Sequence, residues 1–128
     1  MVSSGAGLMN VSSIDNVVDL CQALVQIPSE NPSGSPASRG EQAIAQFVGE
    51  FLESLGAEVE FEEIGPGRPN VYGLWPVPPG TNQRILFAPH LDTVTVDGMI
   101  IEPYCKIETY ILKKDNKAFS RFLILMFF

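Results

Sequence analysis

The sequence has few of the residues that metal and redox motifs usually need. It contains one histidine, His90, and two cysteines, Cys21 and Cys105. One histidine excludes any site that takes two imidazole ligands from this chain alone. The cysteines lie far apart and neither belongs to a C-x-x-C pair, which excludes a motif of that kind. Cys21 also falls on the apolar side of a predicted helix, so we expect buried free thiols and a reducing compartment.

Positive charge is scarce in the first two thirds of the chain. Residues 1–80 contain 2 basic and 10 acidic side chains, whereas residues 81–128 contain 6 and 5, within a formal net charge of −7. A nucleic-acid partner would need Lys and Arg clustered on one face, so none is expected. The one basic cluster, Lys113, Lys114, Lys117 and Arg121, is interpreted as a solvated face or a frayed tail.

Long apolar runs are also missing. The first residues, "MVSSGAGLMNVSS", have neither the basic start nor the apolar centre of a secretory signal. The apolar run "FLILMFF", residues 122–128, is far shorter than the ~20 residues that cross a bilayer. We therefore expect a cytoplasmic protein without a membrane partner. That run has the profile of an aggregation-prone segment unless a sheet edge or a partner covers it.

Two amphipathic helices are predicted before residue 56. Apolar residues at helical spacing predict the first helix over residues 13–27, with Ser12 or Ser13 as its N-cap. These apolar residues are Ile14, Val17, Val18, Cys21, Leu24 and Val25. An irregular loop, "PSENPSGSPASRG", follows. The second helix is predicted over residues 39–55, with Ser38 and Glu41 as a capping box and Gly56 as its end.

Three strands are predicted next. "AEVEFEEI" alternates between apolar and acidic residues, as a half-buried strand does, and "NVYGLWP" (70–76) is a less regular strand. "RILFA" is apolar without alternation, which predicts a strand covered on both faces. This order of elements favours a layered α/β fold, in which ligands collect at the carboxyl ends of the strands. His90 follows the third strand.

His90 and Asp92 form the strongest candidate site. Residues two apart in an extended chain point to the same side, so these two side chains can converge. A neutral imidazole is a good zinc ligand, and a neighbouring carboxylate can fix its tautomer. On spacing alone, a structural histidine hydrogen-bonded at the end of a strand is the competing interpretation.

Five segments in order give these two residues a context: "LVQIPSENPSG", "EQAIAQFVGEFLESLGAEVEFEE", "RPNVYGLWP", "RILFAPHLDTV" and "GMIIEPY". Together, over about residues 13–104, they resemble the N-terminal part of the acetylornithine deacetylase, succinyl-diaminopimelate desuccinylase and aminoacylase family of metallopeptidases. The resemblance implies the N-terminal part of a three-layer αβα zinc-exopeptidase-like catalytic domain with a central mixed sheet. It also implies two zinc or cobalt ions and hydrolysis of an amide bond in an N-acyl amino acid or small peptide.

By the same resemblance, His90 is a metal ligand and Asp92 is the catalytic-motif carboxylate that orients it. The rest of the family pattern is incomplete here. The family has a glycine-rich segment ending in a metal-bridging aspartate, then a glutamate pair, then a second histidine. All 11 glycines of this chain precede residue 104. Asp115 in "KKDNKAF" is a weak counterpart of the bridging residue, whereas Asp97 and Glu102 are interpreted as polar loop residues.

The glutamates of Glu62-Glu63 precede the motif and are interpreted as solvent-facing. The change of composition near residue 105 predicts a division into residues 1–104, a metallopeptidase-like portion, and residues 105–128, a divergent tail of truncated or mis-translated origin. Three hypotheses follow. The first is an inactive N-terminal piece of a two-metal amide hydrolase. The second is a non-catalytic binding or regulatory module that pairs with a homologous subunit. The third is a small α/β protein with a structural histidine. A homo-oligomer is left open.

Overall fold

A computed structural model of the chain describes residues 10–34, 38–80, 83–100 and 103–104. After a short 3-10 helix, Val11–Ser13, come two α-helices, α1 (Val17–Val25) and α2 (Gln42–Ser54). Two strands follow, β1 (Glu58–Glu63) and β2 (Pro69–Leu74), which pair in an antiparallel sheet. The prediction of an α/β arrangement is confirmed at this level. Within the described part of the chain, no helix is long and apolar enough to cross a membrane.

The first predicted helix is confirmed over Val17–Val25, but its N-cap was predicted wrongly. Ser12 and Ser13 lie in the 3-10 helix, and Asn16 is the cap. The Asn16 side chain accepts hydrogen bonds from the backbone amides of Val18 and Asp19, at 2.9 and 3.2 Å. Asparagine is as favourable an N-cap as serine, so the sequence alone did not decide whether the helix begins after Ser13 or after Asn16.

The buried side of α1 also differs from the predicted apolar stripe. Gln22, Ala23 and the following Gln26 and Ile27 are buried, whereas Val17 is 71 % exposed. Cys21, expected to be buried, is a half-buried free thiol. Gln26 tolerates burial because its side-chain amide donates to the Gln22 backbone carbonyl at 2.9 Å.

The second predicted helix is confirmed, and its end at Gly56 is as expected, with a left-handed φ of 84°. The predicted capping box at its start is wrong. The Ser38 hydroxyl donates to the Glu30 carbonyl, and Glu41 makes no capping hydrogen bond. The Glu41 carboxylate instead accepts three hydrogen bonds from the Arg68 guanidinium, at 2.8 to 3.1 Å. This charge-assisted pair uses the carboxylate that the capping box would need. It also joins the start of α2 to the turn between Glu63 and Pro69.

The first two predicted strands form one hairpin. Glu60 lies opposite Tyr72 in the register, and the Ile64 amide donates to the Arg68 carbonyl across the turn at 3.1 Å. The inner face of the hairpin packs on α2 through two glycines. The Phe61 ring lies directly over Gly49, and a Cβ built on Gly73 would meet Leu52 Cδ1 at 2.9 Å. Helix and hairpin thus form two layers.

The core is small. Besides Pro69 at the start of β2, four apolar side chains are buried among the described residues: Ala23, Ile27, Ile44 and Ala45. Ala45 is fully buried, and Glu41 and Ser29 are buried beside this group. The buried apolar side chains of this core thus lie near the end of α1 and in the first turn of α2.

The third predicted strand is wrong for the described residues. Residues 83–90 contain no strand, and Ile85, Leu86 and Phe87 are 83, 87 and 85 % exposed. The only sheet in the ranges described is the β1–β2 hairpin, so "RILFA" has no strand beside it and no second layer to cover it. An apolar run without alternation predicts burial only where such neighbours exist.

Some predictions fall outside the described residues. These concern Cys105, Glu102, Asp115, the basic cluster from Lys113 to Arg121, and the division of the chain at residue 105.

Candidate functional site

The loop that carries His90 and Asp92 is held by the loop between α1 and α2. Glu30 and Thr93 form a parallel bridge. The Asn31 backbone amide donates to the Thr93 carbonyl, and the Thr93 backbone amide donates to the Ser29 carbonyl, both at 2.9 Å. The site was predicted at the carboxyl end of a strand. Among the described residues, this pairing of two loops positions it instead.

Glu30 adds side-chain contacts to the same attachment. Its Oε2 accepts from the Val96 amide at 3.1 Å, and its Oε1 accepts from the Tyr104 hydroxyl at 2.8 Å. Burial, followed by the Glu30 carboxylate, raises the pKa of Tyr104 to about 12. The Tyr104 hydroxyl therefore stays protonated and continues to donate at any ordinary pH.

His90 and Asp92 converge as the sequence predicted. His90 Nδ1 lies 3.0 Å from Asp92 Oδ1 and 2.8 Å from the Asp92 backbone carbonyl oxygen. Both neighbours of Nδ1 are acceptors, so we assign the proton of the neutral ring to Nδ1. The lone pair of the neutral ring is then on Nε2, the nitrogen that would bind a metal or take up a proton.

Asp92 is held on its other side by Asn31. The Asn31 Nδ2 donates to Asp92 Oδ2 at 2.6 Å. This hydrogen bond is the largest cause that lowers the pKa of Asp92 below its usual 3.8; burial opposes it, and the charge of His90 lowers it further. Asp92 is thus an ionised carboxylate at neutral pH, with one oxygen on Asn31 and the other on His90.

An open cleft of about 500 Å³ lies at this group. Its walls carry the side chains of Asn31, Asp92 and His90 together with three hydroxyl groups and two apolar or small residues. These are Ser33, Thr93 and Thr95, with Gly34 and Val94. The cleft thus combines a histidine that has a fixed partner with several hydrogen-bonding groups, in a lining whose exposed area is mainly apolar.

Three other carboxylates among the described residues, those of Asp97, Glu62 and Glu63, do not gather here. Asp97 is exposed, and its backbone amide donates to the Thr95 hydroxyl at 3.2 Å. Glu62 and Glu63 are exposed on the hairpin, as predicted, where they accept from the Tyr72 hydroxyl and the Gly67 amide.

The described residues do not form a complete metal site. They hold no cluster of three or more His, Cys, Asp or Glu side chains that could bind an ion. A catalytic zinc site usually takes three protein ligands. His90 and its orienting carboxylate are therefore one part of such a site at most.

Sequence reasoning missed Asn31. Its contact with Asp92 joins residues 61 positions apart, and no local pattern encodes a pairing of two irregular loops. The one local signal is Asn followed by Pro in a loop, which predicts that the Asn side chain turns back on its own backbone. It does so, because the Ser33 amide donates to Asn31 Oδ1 at 2.8 Å.

No protein-family model matches the chain, and no curated protein or solved structure is significantly similar to it. The metallopeptidase resemblance therefore stays a prediction from sequence motifs.

Proposed function

We propose that this chain supplies a histidine ligand, His90, and its orienting carboxylate, Asp92, to a metal-dependent hydrolase of amide bonds in N-acyl amino acids or small peptides. The supporting observation is the contact between His90 Nδ1 and Asp92 Oδ1 at 3.0 Å, on a side chain that lines the cleft. Histidines that bind metals almost always donate their second N–H to a carboxylate, a carbonyl or a water.

In this proposal Asp92 has a positioning role. It holds the tautomer that places the lone pair on Nε2 and increases the basicity of the ring. The ionised state of Asp92 suits that role, since the contact with Asn31 lowers its pKa. The zinc or cobalt ions, two in the complete domain, would need ligands beyond the described residues or from another chain.

The proposal includes the finer fold that the resemblance implies, a three-layer αβα domain of which the α2 helix and the hairpin are one piece. It also includes a cytoplasmic location, which rests on the cysteine pattern and on the composition of the first residues. With one ligand and one supporting carboxylate, the described part alone should bind metal weakly and hydrolyse nothing.

A non-catalytic binding module is the second candidate. The observation that favours it is the exposed apolar run Ile85, Leu86 and Phe87. Contiguous exposed apolar residues are more typical of an interaction surface than of a free surface.

Cobalt and zinc titrations of the purified chain test the first proposal. We expect weak binding by the wild type, loss of binding in His90→Ala, and affinity about 10 to 100-fold lower in Asp92→Asn. Asp97→Asn is the matched control, because it removes an exposed carboxylate from the same loop and should bind as the wild type does.

Equal binding by the wild type and His90→Ala would overturn the metal role and leave His90 a structural residue. Tight binding of two ions that is lost in His90→Ala would support the metal role and would show that ligands beyond the described residues complete the site.

A further inference from the structure

The Asn31 side chain uses both ends of its amide group at the site. Its Oδ1 accepts from the Ser33 backbone amide at 2.8 Å, and its Nδ2 donates to Asp92 Oδ2 at 2.6 Å. These two contacts fix the orientation of the amide, because turning it over would oppose two oxygens at Asp92 and two N–H groups at Ser33.

The Asn31 backbone is held as well, through the hydrogen bond from its amide to Thr93. Asn31 therefore connects a fixed loop to the carboxylate that contacts His90. The imidazole itself is 62 % exposed, whereas the Asp92 side chain is 28 % exposed. Little packing restrains the ring, so its orientation depends on polar contacts.

We propose that Asn31 is a second positioning residue of this site: by holding Asp92 Oδ2, it turns Oδ1 towards His90 Nδ1. The charged Oδ1 then acts with the Asp92 carbonyl oxygen to favour the ring tautomer with the lone pair on Nε2. A carboxylate can rotate about its last bond, and a donor on one oxygen restricts that rotation. The effect on metal affinity rests on the proposed function, whereas the effect on the tautomer does not.

Asn31→Asp is the most informative variant. It keeps an oxygen that can accept from the Ser33 amide, so the turn is retained, but it replaces the donor to Asp92 with a carboxylate. Two carboxylates at this distance repel each other or share a proton. Asn16→Asp is the matched control, because Asn16 Nδ2 also donates to an aspartate, Asp19, at 2.7 Å, away from the site.

The readout is the ring tautomer of His90, measured from its ¹⁵N chemical shifts at pH 8. The chain has one histidine, so the signals need no assignment among several rings. We expect the wild type and Asn16→Asp to have mainly the Nδ1–H form. In Asn31→Asp the ratio of the Nδ1–H form to the Nε2–H form should fall several-fold, because Nδ1 keeps the neutral Asp92 carbonyl oxygen as an acceptor but loses the charged carboxylate. Far-UV circular dichroism of both variants should match that of the wild type.

An unchanged tautomer ratio in Asn31→Asp would overturn the role of Asn31, and so would an equal change in Asn16→Asp. Cobalt affinity separates this inference from the proposed function. If the wild type binds cobalt, Asn31→Asp should lower the affinity about tenfold. If the wild type binds none and the tautomer still changes, the proposed function is wrong and the role of Asn31 stands.

Discussion

The unit formed by α2 and the hairpin differs from the loop at residues 83–100 in what holds it in place. In the first, apolar groups meet: Phe61 covers Gly49, Leu52 lies against Gly73, and Ile44 is buried. In the second, the side chains of Ile85, Leu86 and Phe87 face solvent, and the attachment comes from hydrogen bonds at Thr93 and Asp92.

The comparison shows that apolar composition alone does not locate the core. "RILFA" is among the most apolar stretches of the sequence, yet its side chains are exposed, whereas the polar residues that follow it are fixed. Burial of apolar area should account for most of the stability of the helix and hairpin. Polar contacts should account for the geometry of the site and for little of the stability.

The largest expected difference is between a buried and an exposed apolar side chain. Ile44→Ala should lower the free energy of unfolding by about 2 to 4 kcal/mol, because it removes buried methyl and methylene groups and leaves a cavity. Phe87→Ala should change it by less than about 0.5 kcal/mol, since Phe87 is 85 % exposed. Urea unfolding followed by circular dichroism measures both changes. A loss of equal size in Phe87→Ala would show that this run is packed in solution.

A smaller effect is expected from the close contact between the residue pair Gly40 and Gly67, which lie just before α2 and in the turn of the hairpin. Gly40 has a φ of 72°, and a Cβ there would meet the Gly67 carbonyl oxygen at 2.6 Å. Gly40→Ala should therefore cost about 2 to 3 kcal/mol through backbone strain and a backbone clash. Gly56→Ala is the control, because Gly56 has a similar φ of 84° but open space around it. It should cost about 1 kcal/mol. If the two variants lower the free energy of unfolding equally, the backbone must move apart at Gly40 and Gly67 without losing stability, and the predicted clash would be wrong.

The smallest effect is expected at the site and depends on pH. Because the pKa of Asp92 is lowered in the folded chain, the unfolded chain takes up the proton first as the pH falls below about 4. The stability that the ionised Asp92 adds is thus complete above that pH and is lost as the pH falls through the folded pKa.

Urea midpoints of the wild type and Asp92→Asn between pH 2 and 6 test this expectation. The wild type should be more stable by under about 1 kcal/mol above pH 4.5, and the gap should narrow at lower pH. A gap that stays constant down to pH 2 would contradict the carboxylate's role.

Local patterns predicted the parts of the fold that local neighbours determine. The second helix and its end at Gly56 follow from helical spacing and a left-handed glycine, and the first strand follows from the alternation around Phe61; the pairing of the two strands in a hairpin was not predicted. The helix starts were mispredicted, because several polar residues compete for each cap and distant partners decide the outcome. The Arg68 guanidinium donates to the Glu41 carboxylate, and the Ser38 hydroxyl donates to the Glu30 carbonyl.

The geometry of the candidate site was likewise predicted only where it depends on residues that are close in sequence. The convergence of His90 and Asp92 is a property of two neighbours in sequence, and spacing predicted it. The third member, Asn31, comes from another loop, and no sequence period reports that pairing. The exposure of "RILFA" was likewise hidden, because an apolar run does not specify whether a partner strand lies beside it.

The attachment between Glu30 and Thr93 also has a kinetic consequence. Its contacts join residues 61 to 74 positions apart, whereas the hairpin closes over a short turn. Closing a long loop is slow and entropically costly, so the helix and hairpin can form before the site does. These hydrogen bonds join neither α2 nor the hairpin to the site, so we expect the site to open while α2 and the hairpin stay folded. The amide protons of Asn31, Thr93 and Val96 should then exchange with solvent together, and faster than those in the middle of α2.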